Sequence, residues 1–215
     1  MPTATALTSS PGRALRRNVV LDLGVALSIG LTTAVAGGLV PTIARQGGLA
    51  PIGLALMAAS PFLGNLLSAF AGRIGPQRVR GYGVLRVAGA LLLVVVALAP
   101  NAIVLVAGIC AFQLCLSFGT PFQTRIWGAM YPGEVRGRVI GILGTARAAT
   151  AAVGAMGIGA LADRLGVPFA VTLAGFLGAA FALGALGLRS GRPLPVRTFS
   201  AREAVATLKI GRAHV

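Results

Sequence analysis

The stretch Ala71–Arg80 reads Ala-Gly-Arg-Ile-Gly-Pro-Gln-Arg-Val-Arg and separates two long apolar runs. A similar stretch, Ala162–Pro168, reads Ala-Asp-Arg-Leu-Gly-Val-Pro, and its Asp163 stands 91 residues after Gly72. Each copy lies between the second and third of three apolar segments, so the chain resembles one three-segment unit written twice. A unit with an odd number of membrane crossings is followed by a copy of opposite orientation. The pattern therefore predicts inverted repeats, which are typical of transporters.

The composition is typical of a membrane protein. Of the 215 residues, 56% are hydrophobic and only 11% are charged, whereas soluble domains carry about 25% charged residues. The formal net charge of +15 would favour nucleic-acid binding in a soluble protein. Here the basic residues fall in the gaps between apolar runs, which is the pattern that sets membrane orientation. We therefore predict a lipid bilayer as the partner and no nucleic acid.

Six apolar runs are each about long enough to cross a hydrocarbon core of roughly 30 Å. They follow a polar leader, Met1–Arg17, and precede a basic tail, Arg189–Val215. The predicted spans are Asn18–Val40, Ala50–Ala71, Gly81–Ala99, Ala102–Phe122, Val139–Ala162 and Val167–Leu188. We expect an all-α membrane protein in which residues 18–188 form one bundle of two inverted three-helix repeats.

Local patterns predict how these helices meet and end. Small residues recur every four positions in the second span, which lets membrane helices approach closely; they are Ser60, Gly64, Ser68 and Gly72. The segments Pro41–Leu49 and Gln123–Arg138 predict loops, and Trp127 and Tyr131 in the second would be interfacial anchors. Arg86 is close enough to the start of the third span for its side chain to reach the interface.

The basic residues also predict the orientation. If the N-terminus is cytoplasmic, sixteen of the nineteen basic residues lie on the cytoplasmic side, Arg45 and Arg164 lie opposite, and Arg147 lies inside a span. Because Lys and Arg in short loops set topology, we expect both termini in the cytoplasm. Eighteen of the nineteen are Arg, which indicates a GC-rich bacterial genome and hence a bacterial cytoplasmic (inner) membrane.

Six spans with a basic turn after the second resemble the N-terminal half of a major facilitator superfamily (MFS) transporter. The signature of that family after the second helix is G-x-x-x-D-R-x-G-R-R, and Arg73 and Gly75 match it. Gly72 stands in place of the Asp, Ser68 in place of the first Gly, and Pro76-Gln77 in place of the basic pair. The second copy, Gly159–Gly166, matches G-x-x-x-D-R-x-G in full.

The resemblance implies a secondary active transporter that moves a small solute by alternating access, with a second six-helix half outside this chain. It also implies a set of gating-loop residues: Arg73, Gly75, Arg78, Asp163, Arg164 and Gly166. The alternative function is a self-contained six-helix membrane channel or scaffold subunit.

Two charged residues are candidates for solute binding or coupling. Arg147 stands nine positions past Arg138, which places it about 13 Å into the membrane, and intramembrane charges are functional candidates by default. The alternative for Arg147 is a structural ion pair. Asp22 is the only acidic residue in the apolar runs other than the fifth, which contains Arg147. It would pair with Arg147 if helices one and five touch, as the family fold implies, or carry a coupling proton, or lie at the interface.

Uncharged candidates are Gln113, Asn65 and Thr145, whose side chains could hydrogen-bond a solute or merely another helix. The only histidine is His214, so no Ser/His/Asp set or metal-ligand cluster can be built. We therefore expect no enzymatic activity, no metal and no cofactor.

The last six residues, Ile210–Val215, back-translate to a string that is common in sequencing adapters. We therefore expect residues 189–215 to be a truncated linker between two bundles, with 210–215 an artefact of the gene model. His214 and Lys209 are the only residues of their kinds, which favours the same interpretation. The alternative is a true short tail on a half-size protein that forms a two-fold dimer.

Overall fold

The structure is a computed structural model that describes residues 11–68, 78–98 and 101–190. Within these ranges every regular element is helical. The α-helices are α1 (Pro11–Ala34), α2 (Val40–Gln46), α3 (Pro51–Ser68), α4 (Val79–Ala97), α5 (Ala102–Met130), α6 (Gly133–Leu165) and α7 (Val167–Ala182). A π-helical turn, Val35–Leu39, joins α1 to α2, and a 3₁₀ turn, Leu183–Gly187, extends α7.

Six continuous helical segments are long and apolar enough to cross a membrane. They are Gly12–Gln46, Pro51–Ser68, Val79–Ala97, Ala102–Met130, Gly133–Leu165 and Val167–Gly187. Large apolar side chains point away from the bundle, including Phe62 and Ile103, which are 75% and 80% exposed. Such an exposed apolar surface fits contact with lipid. The predicted all-α protein with six candidate transmembrane helices is thus confirmed, and the chain is a multi-pass membrane protein.

Three predicted helix boundaries are wrong. The predicted loop Gln123–Arg138 is almost wholly helical, because α5 continues to Met130 and α6 begins at Gly133. The predicted loop Pro41–Leu49 is helical as far as Gln46, since Pro41 lies in the first turn of α2, where a proline needs no amide hydrogen. Finally, α1 begins at Pro11, so the arginines of the predicted leader occupy its first turns.

Close helix crossings hold the bundle together. α1 packs along α6, α3 along α5, and α4 against both α5 and α7. A methyl group at Gly64 of α3 would lie 2.5 Å from the Ser117 hydroxyl of α5, and one at Gly175 of α7 would lie 2.8 Å from a Val94 methyl of α4. Ser60 and Gly64 are buried, which confirms that part of the predicted small-residue stripe; Gly72 lies outside the described residues.

Successive spans run in opposite directions, so alternate connections share an end of the bundle. Gly47, Asn101 and Val167 line one cavity, which places the first, third and fifth connections together. At the other end the Asn18 side chain donates to the Arg189 carbonyl at 2.9 Å, and Arg17 donates to the Gly187 carbonyl at 2.6 Å. These bonds tie the start of α1 to the end of the sixth span.

Candidate functional site

A buried carboxylate lies where α1 meets α5. Asp22 is only 1% exposed, and its Oδ2 accepts hydrogen bonds from the indole N–H of Trp127 and, at 3.1 Å, from the hydroxyl of Tyr131. Burial, and then the adjacent Asp22 charge, raise the pKa of the Tyr131 hydroxyl, so this group stays protonated and donates. A buried charge is tolerated only with such partners. Trp127 and Tyr131 are therefore partners of Asp22, and their role as interfacial anchors stays a prediction.

Arg86 of α4 is the cation of the same site. It is 6% exposed and interacts electrostatically with Asp22. Its guanidinium donates to the Leu116 carbonyl at 3.2 Å and to Gln123 Oε1 at 3.3 Å, and it lies 5.1 Å from the ring centroid of Tyr82. The prediction that Arg86 reaches the interface is wrong, because acceptors on α5 and an aromatic face replace water around it.

Several polar atoms of this site have no hydrogen-bond partner within the described residues. They are Asp22 Oδ1, the Tyr82 hydroxyl and Arg86 Nε. A cavity of about 10 Å³ borders Arg86 and is lined also by Ser28 and Thr32; a single water needs roughly that much room. The Asp22–Arg86 cluster, which we define as Asp22, Tyr82, Arg86, Gln123, Trp127 and Tyr131, is thus charged, buried and incompletely satisfied.

Arg147 of α6 lies beside this cluster without joining it. The predicted contact between the first and fifth spans is confirmed, since Gly30 of α1 packs directly against the Arg147 backbone carbonyl. The predicted pair of Asp22 with Arg147 does not form, because the donors of α5 hold the carboxylate of Asp22. The charged and ionisable neighbours that interact with the Arg147 guanidinium are Arg86 and Tyr82. Arg147 therefore adds positive charge to this part of the bundle.

The uncharged candidates lie on three different helices. Gln113 of α5 is 6% exposed and lines a cavity of about 490 Å³. Asn65 of α3 and Thr145 of α6 are exposed. Across residues 11–68, 78–98 and 101–190, no hydrogen bond joins any of the three to Asp22 or Arg86. Gln113 is thus the uncharged candidate that lies at a cavity.

The gating-loop candidates are divided among helix ends. Arg73 and Gly75 lie outside the described residues. Arg78 immediately precedes α4, and Asp163 and Arg164 form the last turn of α6. Gly166 joins α6 to α7 with φ of +87°, a conformation that favours glycine, and its amide donates to the Ala162 carbonyl at 3.0 Å. Its place in the motif therefore has a local structural reason.

Sequence reasoning missed the α5 face of the site, although a signal was present. Gly119, Gln123, Trp127 and Tyr131 recur every four residues, which places them on one face of a helix. A loop prediction for the polar segment after Phe122 hides this periodicity. At Gly119 a methyl group would lie 2.6 Å from the Arg86 guanidinium carbon, so this glycine makes room for the buried cation.

Comparison with known proteins assigns the chain to no family. No protein-family model matches it, and no curated protein matches it. In the described ranges, no three His, Cys, Asp or Glu side chains are grouped in a way that could hold a metal ion. The function must therefore be inferred from the geometry of the bundle itself.

Proposed function

We propose that this protein is a secondary active transporter of the MFS type, which moves a small solute across a bacterial cytoplasmic membrane by alternating access. The observation that carries the proposal is the Asp22–Arg86 cluster, which links α1, α4 and α5 inside an apolar bundle. Each charged side chain in a membrane costs at least about 2.5–3.5 kcal/mol on insertion scales, and such groups mark solute, ion or proton paths. In this proposal Asp22 carries the coupling proton.

The pattern of helix contacts supports two inverted three-helix repeats, which would comprise the first three and the last three spans. In this arrangement α1 is equivalent to α5, α3 to α6, and α4 to α7. The contact of α1 with α6 is then equivalent to the contact of α5 with α3. By the same equivalence, the contact of α4 with α5 corresponds to the contact of α7 with α1. Both members of each pair are present, and α4 and α7, which are equivalent helices, contact each other. Transporters built from inverted repeats have this kind of symmetry.

A second six-helix bundle completes the proposed transporter, since alternating access needs two bodies that move around one site. The open face of α6 supports this arrangement. Gly137, Gly141 and Gly144 share a face of α6, and a methyl group added at any of them would meet no atom within 4 Å. A face of this kind permits close approach by another membrane helix.

The test compares wild-type protein with Asp22→Asn in cells supplied with a library of labelled small solutes, with and without a protonophore. We expect at least one solute to accumulate with the wild type and to lose that accumulation with the protonophore or with Asp22→Asn. Exchange of the same solute across de-energised vesicles should persist in Asp22→Asn, because exchange needs no net proton movement. A solute-independent conductance would instead favour a self-contained channel.

A further inference from the structure

A cavity of about 490 Å³ lies between α2, α3, α5 and the π-helical turn, apart from the Asp22–Arg86 cluster. Small-molecule sites typically measure about 300–1,000 Å³. Its walls are largely apolar and include Ala36, Met57 and Pro61, while its polar side chains are Gln113, Thr42 and Arg45. An apolar cavity with a few polar groups is the usual form of a small-molecule site.

Gln113 places an amide group at this cavity. The residue is 6% exposed and lines the cavity. Within the described residues no hydrogen bond joins its amide to another group, and its amide atoms are not among the fully enclosed polar atoms that lack a partner. The amide is therefore available to hydrogen-bond a molecule that enters the cavity.

Two backbone carbonyls of the helices around this cavity accept hydrogen bonds from side-chain hydroxyls, whereas the Gln113 amide and the Arg45 guanidinium are open to a ligand. Pro61 has no amide hydrogen, so it leaves the Met57 carbonyl without its helical partner, and the Ser60 hydroxyl donates to that carbonyl at 2.8 Å. Likewise Thr42 donates to the Gly38 carbonyl at 2.8 Å. The π-helical turn contributes Ala36 and Gly37 to the wall, and such turns are frequent at functional sites.

Arg45 supplies the charge at this cavity. It lies in the last turn of α2 with an exposed side chain, and no carboxylate is among the lining residues described. A larger cavity of about 600 Å³ borders α2, α4, α5 and α7, but the polar side chain in its described lining is Asn101. Asn101 already caps α5 by accepting from the Val104 amide. The cavity with Arg45 and Gln113 is therefore the better site.

We propose that this cavity binds an organic solute with one anionic group and an apolar body. The carboxylate of the solute pairs with the Arg45 guanidinium, its apolar body lies against Met57 and Pro61, and the Gln113 amide hydrogen-bonds a second polar group. The inference rests on the proposed transport function and deepens it, because it names the class of solute.

The test measures equilibrium binding of four related compounds to the purified protein in nanodiscs, with empty nanodiscs correcting for partition into lipid. The compounds are 6-hydroxy-2-naphthoate, its neutral alcohol analogue, its cationic aminomethyl analogue and 2-naphthoate. We expect saturable binding of the naphthoates, with the neutral and cationic analogues bound at least about ten-fold more weakly, because a charge-assisted hydrogen bond is lost. Equal affinity for all charge types would overturn the proposal.

Matched variants separate the cavity from general surface charge. Arg45→Gln should weaken both naphthoates about ten-fold or more, whereas Arg164→Gln should change their affinity less than two-fold, since Arg164 does not line this cavity. Gln113→Leu should weaken 6-hydroxy-2-naphthoate about three- to ten-fold and leave 2-naphthoate unchanged. Equal effects of Arg45→Gln and Arg164→Gln would show that surface potential alone attracts the anion. That result would overturn the proposal that this cavity binds it.

Flux measurements separate this inference from the transport function. Naphthoate that binds through Arg45 but does not cross the membrane of proteoliposomes would support the anion site and contradict transport of this solute class. Conversely, Asp22-dependent accumulation of a neutral or cationic solute, together with no naphthoate binding, would uphold transport and overturn the anion site.

Discussion

Within the described residues, the hydrogen bonds to Asp22 come from side chains at the end of α5. Its Oδ2 accepts from both Trp127, in the last turn of α5, and Tyr131, the residue that follows that helix. Arg86 lies on the other side of the cluster and is itself held by Gln123 of the same helix. A small number of side chains on one face of α5 thus fixes both charges of the site.

Removing the carboxylate should destabilise the bundle more than neutralising it. Asp22→Ala leaves the Trp127 and Tyr131 donors without their acceptor and removes the negative charge that interacts with Arg86; each buried donor left unpaired costs about 1–3 kcal/mol. Asp22→Asn keeps a carbonyl oxygen for the indole and should cost less. Trp127 is the only tryptophan of the chain, so its fluorescence reports this contact directly. We expect an emission shift with Asp22→Ala and a smaller one with Asp22→Asn; an unchanged spectrum in both would contradict the hydrogen bond.

Gly119→Ala should disturb Arg86 while a nearby glycine tolerates the same change. The added methyl group would lie 2.6 Å from the Arg86 guanidinium carbon, and overpacking of this kind costs about 1–3 kcal/mol. Gly128→Ala is the control on the same helix, because a methyl group there meets no atom within 4 Å. Thermal unfolding in detergent should show a lower midpoint for Gly119→Ala alone. Equal midpoints would mean that Arg86 is not confined by α5.

Among the helices, the second and third predicted spans agree with the structure to within about three residues where it describes them, because the length of an apolar run decides them. The end of α5 was missed for a physical reason. Polarity alone predicts a loop for residues 123–130, but Gln123 and Trp127 are hydrogen-bonded to Arg86 and Asp22 inside the bundle. Such pairing over long sequence separation cannot be read from local composition. Arg86 was placed wrongly for the same reason, since its acceptors are 30 and 37 residues away.

We expect the connection between α5 and α6 to be stabilised by Arg136. The Arg136 side chain donates to the Tyr131 carbonyl at 3.0 and 3.2 Å and to the Gly128 carbonyl at 3.1 Å. Cations near the last carbonyls of a helix are favourable. Arg136→Ala should therefore lower stability by about 1–3 kcal/mol, and Arg138→Ala, which removes an exposed arginine two residues on, should be close to neutral. Denaturant titration of both variants measures their free energies of unfolding. Equal losses of stability in the two variants would contradict the prediction.

For the whole molecule, the direction of the chain through the membrane follows from where its arginines lie. Nine arginines of the described ranges lie at the end of the bundle that holds Tyr131: Arg13, Arg16, Arg17, Arg78, Arg80, Arg125, Arg136, Arg138 and Arg189. At the opposite end of the bundle the described arginines are Arg45 and Arg164. Basic residues in short loops stay cytoplasmic, so we propose that the end with Tyr131 faces the cytoplasm.

Two exposed positions at opposite ends of the bundle test this orientation. Gln46 ends α2, and Glu134 lies in the first turn of α6. In a background with Cys110→Ser and Cys115→Ser, a membrane-impermeant maleimide added to intact cells should label Gln46→Cys and leave Glu134→Cys unlabelled. After permeabilisation both should react, which controls for side chains that are merely unreactive. Labelling of Glu134→Cys in intact cells would reverse the topology. It would also place Arg45 on the cytoplasmic side of the membrane, so that the proposed anion would enter the cavity lined by Arg45 and Gln113 from within the cell.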